Sequence, residues 1–120
     1  IEKKMGITRV PNTPYYIKGV INLRGEIIPI MSLRLRFGLP DDEYTEDTRI
    51  IIINIDEMSV GLIADSVTEV LGINDDMIEN VGNIGSEVSN EFLSGVARYG
   101  DRIINLLNLE KLVTLEEAAV

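Results

Sequence analysis

The feature that most constrains this chain is a match with itself. Ile17-Lys18-Gly19-Val20 reads against Leu93-Ser94-Gly95-Val96, which sets Gly19 and Gly95 76 positions apart. At the same offset, without gaps, Ile27-Ile28 meets Ile103-Ile104, Ile30-Met31 meets Leu106-Leu107, and Leu33 meets Leu109. Two apolar hairpins can resemble one another by chance. Agreement of spacing, glycine and turn at one fixed offset favours a duplicated supersecondary unit.

Each copy reads as two strands and a short helix. Ile17, Gly19, Ile21 and Leu23 alternate with Lys18, Val20, Asn22 and Arg24, a strand pattern. Arg24-Gly25-Glu26 is a turn in which Gly25 can take a positive φ. A second strand runs from Ile27 to Met31, and Pro29 within it calls for an edge or a bulge. Ser32 can cap a short helix through Leu35 to Phe37, ended by Gly38. The second copy runs from Phe92 through a Gly100-Asp101 turn to Leu109, with a helix starting near Asn108.

Between the copies, Arg49 to Ile55 and Ser59 to Asp65 read as a hairpin turning at Asp56-Glu57. From Ser66 to Ile73 a capping box (Ser66 with Glu69) competes with a bent continuation of the strand, which Val67, Thr68 and Val70 favour. Glu79 to Asn90 reads as loop. In chain order the hairpin leads the second copy, and the equivalent span for the first copy falls before residue 1. The expectation is an all-β chain of two barrels: a first, about residues 1–40, lacking its leading hairpin, and a complete second, about residues 49–113. The uncovered edge of the first barrel would then invite self-association or cover by residues 1 to 10.

Composition narrows function. Eleven Lys and Arg against twenty Asp and Glu give a net charge of −9, which repels nucleic-acid phosphates and anionic membrane surfaces. With no His and no Cys, the chain lacks the usual neutral-pH base, the thiol nucleophile and the common zinc ligands. No apolar run approaches membrane-spanning length, and no signal peptide is visible; a cytoplasmic setting is the expectation. The carboxylate pairs Asp65 with Glu69, and Asp56 with Glu57, would have to carry any hydrolase chemistry. Without Trp or a Gly-rich phosphate loop, an enzyme is disfavoured. Asp41-Asp42-Glu43 and Glu46-Asp47 lack calcium-loop spacing and read as a solvated acidic loop, so neither metal nor cofactor is expected.

The stretch from Thr13-Pro14-Tyr15-Tyr16-Ile17-Lys18-Gly19 through Asn22-Leu23-Arg24-Gly25-Glu26 to Ile30 resembles the signature of CheW-like domains. Val60-Gly61-Leu62-Ile63-Ala64-Asp65-Ser66-Val67 and Gly100-Asp101-Arg102-Ile103-Ile104 are similar to later family segments, in the family's order. The resemblance implies two five-stranded SH3-like barrels, the leading strands lying upstream of Ile1. It implies a non-enzymatic adaptor, recruited to membrane receptor arrays, that joins the regulatory domain of the histidine kinase CheA to the cytoplasmic tip of a methyl-accepting chemoreceptor. Carried over as receptor-binding positions are Arg24, Gly19 and Val70, and as a kinase contact Ile84.

The same domain occurs within CheA and CheV. An excised regulatory module is therefore the alternative, though no kinase or receiver segment is seen. Taken alone, Arg24 would pass for a solvated strand-end arginine, and Gly19 with Gly95 for backbone requirements.

Overall fold

The computed structural model describes residues 2–3, 6–79 and 90–114. They fall into two compact units, one running through Thr68 and the other from Glu69 to Thr114. The first holds β1 (Glu2–Lys3), β2 (Ile17–Leu23), β3 (Glu26–Ser32), α1 (Leu33–Arg36), β4 (Arg49–Ile55) and β5 (Met58–Ala64). These strands make one sheet in the order β1-β4-β5-β3-β2. Every pairing is antiparallel except β3 with β5, which run parallel with Ile30 level with Gly61.

Strand alternation sends Ile21, Ile28, Ile30, Ile50 and Ile63 to one face, where they form the core with Ile7, Leu23 and Ile52 packed against it. Gly61 lets the parallel strands meet. A Cβ there would lie 2.5 Å from Ile30 Cδ1 and 3.0 Å from Ile50 Cγ2. Pro29 turns out to lie in an interior strand, not at an edge. It sits opposite Val20, whose N–H and C=O are both bonded to Thr8 across the other edge of β2, so that pair needs no donor from Pro29. The β5 ladder begins only at Ile30, so the absent N–H leaves no gap there either.

The second unit holds a 3-10 turn at Asp75–Met77, β6 (Ile78–Glu79), a 3-10 turn at Asn90–Phe92, β7 (Leu93–Tyr99), β8 (Arg102–Leu107) and α2 (Leu109–Val113). Its sheet is antiparallel in the order β6-β7-β8. Phe92, Leu93, Val96, Ala97, Leu112 and Val113 are its buried side chains.

The repeat is real in three dimensions. In both copies the register slips at the glycine, between Ile17 and Gly19 in β2 and between Leu93 and Gly95 in β7. Ser32 N–H donates to Tyr16 O and Asn108 N–H to Phe92 O, each at 2.8 Å, and all four residues obey the offset of 76.

Three expectations need correction. Chain order assigns the hairpin β4–β5 to the second copy, but its strands pair with β3 and β1, so the units divide at Thr68 and Glu69 and not near residue 49. The first unit is consequently the five-stranded one and the second has three strands among the described residues. Self-association through an uncovered edge of the first barrel loses its premise, because β5 covers β3. Finally, residues 67–74 form neither strand nor helix. Val70 projects at 89% exposure and Glu69 pairs with Arg102, so nothing supports a capping box or a ladder there.

Candidate docking surface

Arg24 sits at the tip of the β2–β3 hairpin. Leu23 pairs with Glu26, leaving Arg24 and Gly25 as a two-residue turn with φ of 52° and 85°. Two consecutive positive φ values define the turn whose twist suits a hairpin. Asn22 Oδ1 accepts from Gly25 N–H at 3.1 Å and holds the tip. Gly25 takes this geometry freely, whereas Arg24 pays about 1 kcal/mol or more for a left-handed conformation. At the equivalent tip of the second unit the chain places Gly100, at φ 62°. The first unit thus accepts strain to present an exposed guanidinium where its repeat uses glycine.

Gly19 is a different case. Its φ is 146°, and a Cβ would fall 2.2 Å from the carbonyl oxygen of Thr8. Its bare side is filled by the chain's own backbone, through the paired Thr8 and Val20 hydrogen bonds of 2.8 Å. Gly95 repeats the arrangement against the carbonyl of Glu79, at 2.9 Å. Both glycines are buried and serve backbone approach, so Gly19 offers no surface to a partner. Arg24 and Gly19 share one strand hairpin, Val70 belongs to the other unit, and Ile84 lies outside the described residues.

Four ion pairs organise part of the remaining charged surface among the described residues. Arg34 grips Asp65 with two hydrogen bonds, Nε at 2.8 Å and Nη2 at 2.9 Å. The hydrogen bonds from Arg34 hold the Asp65 carboxyl below the usual carboxylate range. A cleft of about 520 Å³ opens beside this pair, lined also by Asp41, Glu43, Asp47 and Ser66. Asp41 is tied to Lys18 at 2.8 Å, which lowers the Asp41 pKa and raises that of Lys18. Asp42 Oδ2 accepts from Ser32 Oγ at 2.5 Å. The acidic loop is therefore partly structural, anchoring itself to β2 and to the head of α1.

This arrangement does not suit acid–base catalysis. A general acid needs a raised carboxyl pKa, and Asp65 is shifted the other way. Its notional partner Glu69 is engaged by Arg102. No group of three or more acidic side chains suited to a metal ion occurs among the described residues, and no helix among them is long and apolar enough to cross a membrane.

Sequence reasoning missed two features of this surface. One is the strain at Arg24, which a comparison with Gly100 in the repeat could have signalled. The other is the strain in the β4–β5 turn, whose position at Asp56-Glu57 was expected but whose two residues both take positive φ, 49° and 66°. Because β3 and β5 run parallel, this turn and the Arg24 turn lie at the same end of the sheet. Ile27 and Met58, the second residue of β3 and the first of β5, are 60% and 54% exposed there.

Comparison with known proteins agrees with this architecture. The CheW-like domain model matches residues 1–117. Chemotaxis protein CheW of Klebsiella aerogenes is 38% identical over 114 residues, covering 95% of this chain and 69% of that protein. The CheW proteins of Helicobacter pylori and Bacillus subtilis are 36% and 34% identical, covering 94% and 98% of this chain and 68% and 76% of those proteins. The crystal structure of the scaffolding protein TtCheW from Thermoanaerobacter tengcongensis superposes with a TM-score of 0.84 at 38% identity, covering 95% of this chain and 73% of that one. The family model over residues 1–117 and these relatives, matched over nearly the whole length of this chain, establish that it belongs to the CheW-like domain family of chemotaxis scaffold proteins, which are adaptors and not enzymes.

Proposed function

We propose that the chain couples a CheA-type histidine kinase to the cytoplasmic tip of methyl-accepting chemoreceptors, in the cytoplasm at membrane receptor arrays. The observation that carries this reading is the left-handed Arg24 at the hairpin tip, opposed by Gly100 in the repeat. Backbone strain held on an exposed residue points to a use for its side chain. An arginine at such a tip offers a planar fork of donors and a stem that packs, the combination favoured at interfaces.

Receptor contact through Arg24 and, in the other unit, Val70 fits their exposure. Val70 at 89% exposure presents an apolar side chain that a partner can desolvate. Ile84 is the proposed kinase contact. The net charge of −9 favours partners with complementary basic patches and fast, salt-sensitive encounter.

Reconstitution tests this. Purified CheA and receptor tips are combined with the intact adaptor carrying Arg24→Glu. The expected result is at least a several-fold loss of receptor-dependent kinase activation with CheA pull-down retained. Normal activation by the variant would refute the receptor role of Arg24, and loss of CheA pull-down would move that residue to the kinase surface.

A further inference from the structure

The tips of the two repeated hairpins are closed by different turns. In the first, Arg24 and Gly25 both take positive φ, 52° and 85°. In the second, Gly100 takes φ 62° and Asp101 takes no positive φ, although aspartate tolerates one better than arginine does. The first pattern is that of a type I′ turn, and the second that of a type II′ turn with glycine at its first position. The twist of a two-residue hairpin accommodates both.

The two types differ by a half-turn of the peptide that joins the two turn residues. That rotation swings its N–H from one side of the hairpin to the other. In the first tip this N–H belongs to Gly25, and Asn22 Oδ1 accepts from it at 3.1 Å. The acceptor is an exposed side chain of β2, in the pair Asn22–Ile27 next to the closing pair Leu23–Glu26. At the offset of 76 the position of Asn22 is taken by Arg98. A guanidinium only donates, and Arg98 Nε is engaged by Glu79 at 3.1 Å. The acceptor and the second positive φ thus occur together in one copy and are both missing from the other.

We propose that Asn22 is a positioning residue for Arg24: by holding the Gly25 N–H it locks the type I′ turn and so fixes where the guanidinium stands. The consequence for signalling rests on the receptor role given to Arg24 above. Local preference does not fix this turn. Arginine resists the left-handed region, and with Gly25 beside it a turn that leaves Arg24 at negative φ is less strained. Hairpin twist disfavours such turns, and the Asn22 bond excludes those that rotate the Gly25 N–H away. One exposed hydrogen bond and the strain of one left-handed arginine are of similar size, so removing the bond is enough to let Arg24 move.

NMR and kinase reconstitution on the intact adaptor carrying Asn22→Ala or Asn22→Asp test this. Asn22→Asp keeps an oxygen at the acceptor position. In the unaltered protein and in Asn22→Asp, Arg24 is expected to show the strong intraresidue amide–Hα NOE of a left-handed residue. In Asn22→Ala that NOE is expected to weaken to the level of ordinary strand residues. Receptor-dependent kinase activation is expected to fall about three-fold or more in Asn22→Ala, with CheA pull-down retained, and to recover in Asn22→Asp. An Arg24 that stays left-handed in Asn22→Ala would overturn the proposal. So would normal activation by Asn22→Ala while Arg24→Glu is inactive. Loss of activation in both Asn22 variants would also overturn it, because the partner would then be reading the amide itself. Normal activation by Arg24→Glu overturns the receptor reading instead, and the NOE still decides whether Asn22 sets the turn.

Discussion

Ser32 and Asn108, 76 positions apart, cap the helices of the two units with the same bond. Ser32 Oγ accepts from Leu35 N–H and Asn108 Oδ1 from Lys111 N–H, both at 3.1 Å. Only Ser32 does a second thing: its hydroxyl donates to Asp42. Losing a cap costs about 1 kcal/mol, and leaving the part-buried Asp42 carboxylate without this donor adds about 1 kcal/mol. Ser32→Ala is therefore expected to destabilise more than Asn108→Ala, in urea denaturation of each variant. Equal losses would mean that the Asp42 bond contributes nothing.

Arg24→Gly separates strain from function. Relief of the left-handed arginine is offset by the larger chain entropy of glycine, so stability is expected to stay level or rise by up to about 1 kcal/mol. Receptor-dependent kinase activation is expected to fall in the same variant. A stability loss above about 1 kcal/mol in chemical denaturation would show that the Arg24 side chain supports the fold.

The β4–β5 turn carries the same strain without a glycine to relieve it. Replacing Asp56-Glu57 by Asn-Gly supplies the preferred pair for two positive φ values and is expected to raise stability by about 1 kcal/mol. Thermal unfolding shows this directly as an upward shift in Tm.

Gly19→Ala puts a methyl group 2.2 Å from the Thr8 carbonyl oxygen, in a backbone conformation that alanine resists. The clash is with backbone, so it cannot be relieved by a side-chain rotation. A loss of about 2 to 3 kcal/mol or more is expected. Gly25→Ala, with nothing within 4 Å of the added Cβ, meets only the backbone strain and should lose less. A receptor-contact role for Gly19 would instead leave stability intact and reduce binding.

The ion pairs give a bounded pH dependence. Asp65 and Asp41 are depressed by hydrogen bonds from Arg34 and Lys18, so their contributions are complete above the unfolded carboxylate value of about 4 and vanish as pH falls through the lower folded values. Lys18 is raised, so its contribution is complete below about 10.4 and is lost as pH climbs through the higher folded value. Stability is expected to be flat between about pH 5 and 9, with small edges because both carboxylates are largely solvated and Lys18 is only part-buried. Asp65→Asn should soften the acid edge in pH-dependent denaturation and leave the alkaline edge unchanged.

Much of this protein was written locally. The two copies, the Arg24-Gly25 turn, the caps at Ser32 and Asn108, and the hairpin of residues 49–65 depend on neighbours a few residues apart, and a linear reading finds them. The buried state of Gly19 was half legible, since a glycine in a strand announces close approach but does not say that Thr8 is what approaches. The partnership of β4–β5 was not legible at all. A hairpin exposes the same ladder of donors and acceptors to any edge, and β3 and β8 are near-copies, so chain order pointed to the wrong one. What selects β3 is packing across the sheet, where Gly61 admits Ile30 and the isoleucines of four strands close over one another. Ile30 and Gly61 stand thirty-one positions apart in the chain, and only the folded sheet brings them level.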